Sequence, residues 1–138
     1  MEKDHEQYLL RCEELATTAK ENGNSAVGSL LVFNNQIVAE AEEAVATKKD
    51  ITAHAEMEVL KKARKVIGKD MSGAILYSTK EPCIMCSYAI RYHKIEKVVY
   101  KEVSGQFGGA HGNYDVLLTK NVPEDWGLPV QCIQMKGK

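Results

Sequence analysis

Two short stretches restrict the folds open to this chain more than any other feature: Thr52-Ala53-His54-Ala55-Glu56 and Glu81-Pro82-Cys83-Ile84-Met85-Cys86. Each stands where a helical pattern begins, and the second follows directly on a buried-type strand, Ala74 to Thr79. Cysteines at i and i+3 share one helical face, so the thiolates of Cys83 and Cys86 can reach a single ion. The imidazole of His54 makes a third zinc ligand and leaves a fourth tetrahedral position for water, the arrangement of a catalytic rather than a structural site. A helix N-terminus carries partial positive charge, which favours the thiolate that binds metal. His54 and Glu56 are two apart and would diverge in mid-helix. In a first turn both can lean around the helix end toward an ion beyond it, so Glu56 falls to the metal-bound water as a proton acceptor. Alone, a CxxC reads equally as a redox pair or structural half-site, and a His-x-Glu as helix surface. The two together select the zinc centre, one ion per chain.

The remaining pattern supplies a framework for these helices. Tyr8, Leu9, Cys12, Leu15, Ala16 and Ala19 recur at spacings of three and four, predicting a helix from Asp4 to Glu21 that stops at Asn22-Gly23-Asn24. Ala26 to Phe33 and Gln36 to Ala44 read as strands joined at Asn34-Asn35. Thr47 to Ile51 reads as loop, Thr52 as the cap of a helix to Val66, and Pro82 as the start of a helix to Tyr92. Val98 to Val103 is a further strand, followed by the glycine-rich run Gly105 to Gly112, a short helix over Asn113 to Leu118 and a last strand over Val130 to Met135. The order α-β-β-α-β-α-β-(α)-β predicts an α/β fold, a three-layer α/β/α sandwich in one domain over residues 1–138.

Charge and composition narrow the partners. A formal net charge of −1 offers no overall attraction to phosphate backbones, so nucleic acid is an unlikely partner on this reading. The run Lys61, Lys62, Arg64, Lys65 reads as a solvated helix face. No segment is apolar enough to span a bilayer and the N-terminus lacks a signal-peptide core, so a cytoplasmic protein is expected. The four cysteines then read as thiols or ligands, with Cys12 and Cys132 as small buried side chains.

His-x-Glu followed by Pro-Cys-x-x-Cys resembles the cytidine deaminase-like superfamily. The likeness runs from the first helix to about Val103, and His54 as first ligand is similar to the branch holding free-base, guanine, deoxycytidylate and tRNA adenosine deaminases. The resemblance implies a five-stranded mixed sheet, zinc held by His54, Cys83 and Cys86, and Glu56 shuttling protons while a zinc-bound hydroxide displaces an exocyclic amine. It further implies that the Ala55 N–H and the Glu81 carbonyl meet the substrate, and that a homodimer is expected. Many relatives carry an Asn eleven positions before the His, where this chain has Glu43. An amide donates and accepts, whereas a carboxylate only accepts, so Glu43 in that place demands a donor from the substrate; the plain alternative is a solvated strand-end charge. Phe107 and His111 read as the pocket mouth or as loop packing and surface. Asp115 stands roughly where some guanine deaminases place a substrate-recognising acid, or is an ordinary surface charge. Trp126 reads as a plug at a core edge, His5 and His93 as structural or exposed. A C-terminal helical lid of some relatives is expected to be absent or supplied by a partner. The resulting expectation is a hydrolytic deaminase using water on a small heterocycle, a free nucleobase or related ring of guanine, isocytosine, cytosine, triazine or pterin type. The alternatives are a tRNA adenosine deaminase and a non-catalytic zinc-binding module.

Overall fold

The run Leu30-Leu31-Val32 has no polar face, and in the computed structural model, which describes residues 2–135, it lies in a sheet covered on both sides. Strands β1 (Gly28–Phe33) and β2 (Gln36–Glu42) form a hairpin whose turn residues, Asn34 and Asn35, both adopt the left-handed conformation at φ 52° and 62°. Strands β3 (Ile75–Lys80), β4 (Lys97–Glu102) and β5 (Gln131–Gln134) complete the order β2-β1-β3-β4-β5. β1 is antiparallel to both its neighbours, while β3, β4 and β5 run parallel, so the sheet is mixed as expected.

Alternation along the strands divides the core between two layers. Leu30, Val32, Tyr77 and Val99 meet Leu9 and Cys12 of helix α1 (Glu2–Glu21). Leu31, Leu76, Val98 and Tyr100 point the other way, into the cluster holding Val59, Leu60 and Ala63 of α3 (Ala55–Ile67) and Ile90 of α4 (Ile84–Tyr92). Gly28 lets α1 lie close on the sheet: a Cβ there would stand 2.1 Å from the Cys12 carbonyl oxygen. The α/β/α architecture is therefore the predicted one. The sequence-based domain range of 1–138 includes Met1 and 136–138, which lie outside the described residues.

Local differences from the sequence reading have local causes. Val45–Lys48 forms one helical turn, α2, closed by Lys49 in the left-handed conformation at φ 51°, where loop was expected. Thr52 does not cap α3; its N–H and hydroxyl both donate to Asp50 Oδ1, at 2.8 and 2.7 Å. The Lys61 to Lys65 basic run is a solvated face as read, with Ala63 turned inward. His5 is buried against the Tyr77 hydroxyl, and His93 against the Ala89 carbonyl. Cys12 is buried and Cys132 partly so. Trp126 packs edge-on to Tyr88 at 5.1 Å.

The helix predicted over Asn113 to Leu118 does not form. Arg91 of α4, buried to 1% exposure, donates from Nη1 to the carbonyls of Val116 (2.8 Å) and Thr119 (2.9 Å) and from Nη2 to Gly127 (3.0 Å). The segment instead runs as turns whose carbonyls at Val116 and Thr119 meet the guanidinium, and Leu117 anchors it in the core. One planar fork holds the irregular crossing between β4 and β5, with no carboxylate partner among the described residues. Arg91→Met should cost about 3 kcal/mol, since hydrogen bonds from a charged donor are lost and carbonyls are left unpaired. Denaturant unfolding and hydrogen exchange over residues 116–127 measure this, and Arg91→Lys should recover only part because an ammonium cannot span the same fork.

Candidate active site

Helices α3 and α4 start beside each other beyond the carboxyl end of β3, where ligand sites of α/β sheets gather. His54 is the N-cap of α3 and Cys83 the N-cap of α4, and neither side chain makes a capping hydrogen bond. Both are thereby free to turn outward from the helix ends. Cys83 Sγ and Cys86 Sγ stand 3.5 and 3.6 Å from His54 Nδ1, and the three ligand atoms lie within 4.8 Å of one another. Zinc bonds of about 2.0 Å to nitrogen and 2.3 Å to sulfur at tetrahedral angles require nitrogen–sulfur separations of about 3.5 Å. The triad therefore fits one zinc ion without rearrangement.

The electrostatics suit such a site. Cys83 is held down to about 4, first by a hydrogen bond with Cys86, and then by His54 against the opposing effect of burial. His54 is raised chiefly by its bond to Cys83, with burial opposing. The Cys86 thiol is pushed up, by its bond to Cys83 and by burial. Glu56, 4% exposed, is raised to about 7 by burial above all, with the Cys83 thiolate adding to the shift. Ser78 Oγ, buried on β3, donates to Glu56 Oε2 at 3.2 Å and orients the carboxyl. Sequence reading missed Ser78, whose only trace is a polar residue within a buried strand.

A cleft of about 500 Å³ opens over this cluster, lined by Glu43, His54, Ala55, Glu56, Glu81, Cys83 and Phe107, together with Ser25, Val27, Lys80, Ile84, Met85 and Ser104. Ala55 is the first residue of α3, where the N–H has no intrahelical partner. Glu43 belongs to the cleft and is 8% exposed, so it is not the solvated strand-end charge of the plain reading. Phe107 stands at the mouth, 65% exposed.

His111 and Asp115 are corrections: neither lines the cleft. The Tyr100 hydroxyl holds the His111 ring at Nε2, and Asp115 is exposed with its carbonyl accepting from Leu118 and Thr119 in a turn. Asp115 lies on the segment that failed to form a helix, and His111 on the glycine-rich loop before it. The fold of the glycine-rich loop comes instead from the Glu81 side chain. Its carboxylate, 1% exposed, accepts from the N–H groups of Ser104 (2.9 Å), Ala110 (2.8 Å) and His111 (2.7 Å). The same residue's carbonyl accepts the Ser104 hydroxyl at 2.7 Å. Gly108 and Gly109 are required by this wrapping, because a Cβ would stand 2.3 Å from the Glu81 carboxyl and 1.8 Å from Ser87 Oγ respectively.

A mixed α/β/α sheet with two helix N-termini converging on a His/Cys/Cys triad and a buried carboxylate is the apparatus of a zinc-dependent deaminase of cyclic amidines. Residues 2–102 match the cytidine and deoxycytidylate deaminase zinc-binding region, and the chain belongs to that family. It is 41% identical over 103 residues to the tRNA-specific adenosine deaminase of Aquifex aeolicus (strain VF5), covering 74% of this chain and 68% of that one. It is 38% identical over 114 residues to that of Bacillus subtilis (strain 168), covering 82% and 70%. To tRNA-specific adenosine deaminase 2 of Danio rerio it is 34% identical over 133 residues, covering 91% of this chain and 61% of the relative. Among solved structures, a tRNA:A34 deaminase superposes with a TM-score of 0.83 over 97% of this chain and 99% of its own, at 24% identity, a likeness of fold. The guanine deaminase of Bacillus subtilis superposes at 0.69 with 37% identity, over 72% of this chain and 64% of its own.

The relatives overturn two expectations from the sequence, a free nucleobase as substrate and the absence of a nucleic-acid partner. The physical reason is that net charge is a whole-molecule sum, whereas an RNA-approach surface is local. Among the described residues no helix is long and apolar enough to cross a membrane.

Replacing Glu81 by Gln leaves one acceptor oxygen for three N–H groups. Glu81→Gln should cost about 1.5–3 kcal/mol and raise hydrogen exchange at one or more of the Ser104, Ala110 and His111 amides. Unchanged exchange at all three amides would show that the carboxylate does not organise this loop.

Proposed function

We propose that this chain is a tRNA adenosine deaminase, which hydrolyses the C6 amine of an adenosine presented in RNA to give inosine and ammonia. The observation that carries the reading is the similarity of 34–41% over 74–91% of the chain to proteins named for that activity. Lys80, exposed on the rim of the cleft, supplies a cation where a phosphate chain would pass. A cytoplasmic setting accords with thiol ligands that must stay reduced.

His54, Cys83 and Cys86 hold the zinc, which when bound lowers the pKa of a water molecule so that it becomes a nucleophile near neutral pH. Glu56 does the proton work. It takes a proton from the water that attacks C6 and delivers it to N1. It then carries the second proton to the departing amine, so that water enters and ammonia leaves. The Ala55 N–H, unpaired at the helix start, donates to a substrate heteroatom. The Glu81 carbonyl, with one lone pair given to Ser104, has a second for the amino group. Ser78 keeps the Glu56 carboxyl aimed at the reacting atoms.

Glu56→Gln should keep its zinc and its fold yet lose about 10²–10⁴-fold in kcat, because an amide cannot relay protons. Cys83→Ala or Cys86→Ala should lose zinc, read by metal analysis; full occupancy in both would refute the ligand assignment. Wild-type enzyme incubated with tRNA should form inosine at an anticodon adenosine, detected by nucleoside mass spectrometry. Failure to form inosine in any tRNA would sink the substrate assignment.

A further inference from the structure

We infer, on the RNA reading above, that Glu43 reads the sugar of the target nucleotide by accepting a hydrogen bond from its 2′-hydroxyl. Glu43 follows directly on β2, and its backbone is fixed by its own N–H to the Val27 carbonyl (2.9 Å) and by Ala44 N–H to the Ala53 carbonyl (2.9 Å). Its side chain lines the same cleft as His54, Ala55 and Glu56. Oε1 accepts from the Val45 N–H at 2.8 Å, which orients the carboxylate and leaves Oε2 without a hydrogen bond among the described residues. No cation pairs with it among those residues either. A carboxylate oxygen that lines the cleft with no protein donor among the described residues is available to accept from a bound substrate.

The donors of an adenosine inside an RNA chain are few. N1, N3 and N7 accept, and the 3′ and 5′ oxygens are esterified. The N6 amine is engaged at the reaction centre. The 2′-hydroxyl is the one donor left, and it is the group that distinguishes RNA from DNA. Lys80 on the rim provides an opposite charge for the adjoining phosphates, so the carboxylate and the polyanion need not collide. An amide at this place could donate as well as accept; a carboxylate makes the hydroxyl a requirement.

The test uses an RNA substrate carrying either adenosine or a single 2′-deoxyadenosine at the edited position, with full-length zinc-loaded wild type, Glu43→Ala and Glu43→Gln. In wild type the deoxy substitution should lower kcat/KM by about ten- to a hundredfold, the effect of removing a donor to a charged acceptor. Glu43→Ala, with unchanged zinc content, should turn over both substrates at one reduced rate, while Glu43→Gln should keep part of the discrimination through its amide oxygen. Equal rates for wild type on the two RNAs, or full discrimination retained by Glu43→Ala, would overturn the inference while leaving the RNA reading intact. No inosine from the all-ribose RNA would overturn that reading and this inference with it.

Discussion

Everything at the site depends on two helices beginning side by side with their cap side chains unspent. An N-cap residue ordinarily turns its side chain back onto the first N–H groups of its own helix. His54 and Cys83 forgo that bond, and with Cys86 one turn on they converge to within 4.8 Å. Burial raises the Glu56 carboxyl to about 7, while the bond between His54 and Cys83 raises the one and, second to the bond with Cys86, lowers the other. A zinc ion held by the three ligands would take the place of that bond. The sheet exists, from the viewpoint of function, to hold two helix starts at that separation.

The second level of organisation is the wall of the cleft, built from irregular chain. Buried charges do the work that secondary structure does elsewhere. Glu81 gathers three N–H groups of the glycine-rich loop, and Arg91 gathers three carbonyls of the crossing between β4 and β5. Neither has a side-chain counter-ion among the described residues, so backbone groups are the hydrogen-bond partners of both, although Arg91 Nε is left without one. Of these two segments only the loop held by Glu81 reaches the cleft, through Ser104 and Phe107.

Chemistry and substrate choice are separable in this architecture. The triad and Glu56 come from the starts of α3 and α4, whereas Glu43, Lys80 and Phe107 enter the cleft from three other segments. For that reason the reaction class was readable in two motifs, while the expectation of a free base failed against relatives that act on tRNA by name.

What the sequence by itself determined is local. Ligand spacing, the presence of α3 and α4 and the five strands all follow from residues a few positions apart, because helix and strand periodicities act over that range, although both helices begin a few residues later than read. The element order then allowed few topologies. Tertiary structure alone decided the rest. Ser78 reaches Glu56 across 22 positions, Glu81 reaches the loop across 23 to 30, and Arg91 reaches its carbonyls across 25 to 36. No periodicity encodes such pairs. The helix predicted over Asn113 to Leu118 gave way to turns whose carbonyls at Val116 and Thr119 meet a distant arginine, while His111 is placed by the distant Glu81 and Tyr100.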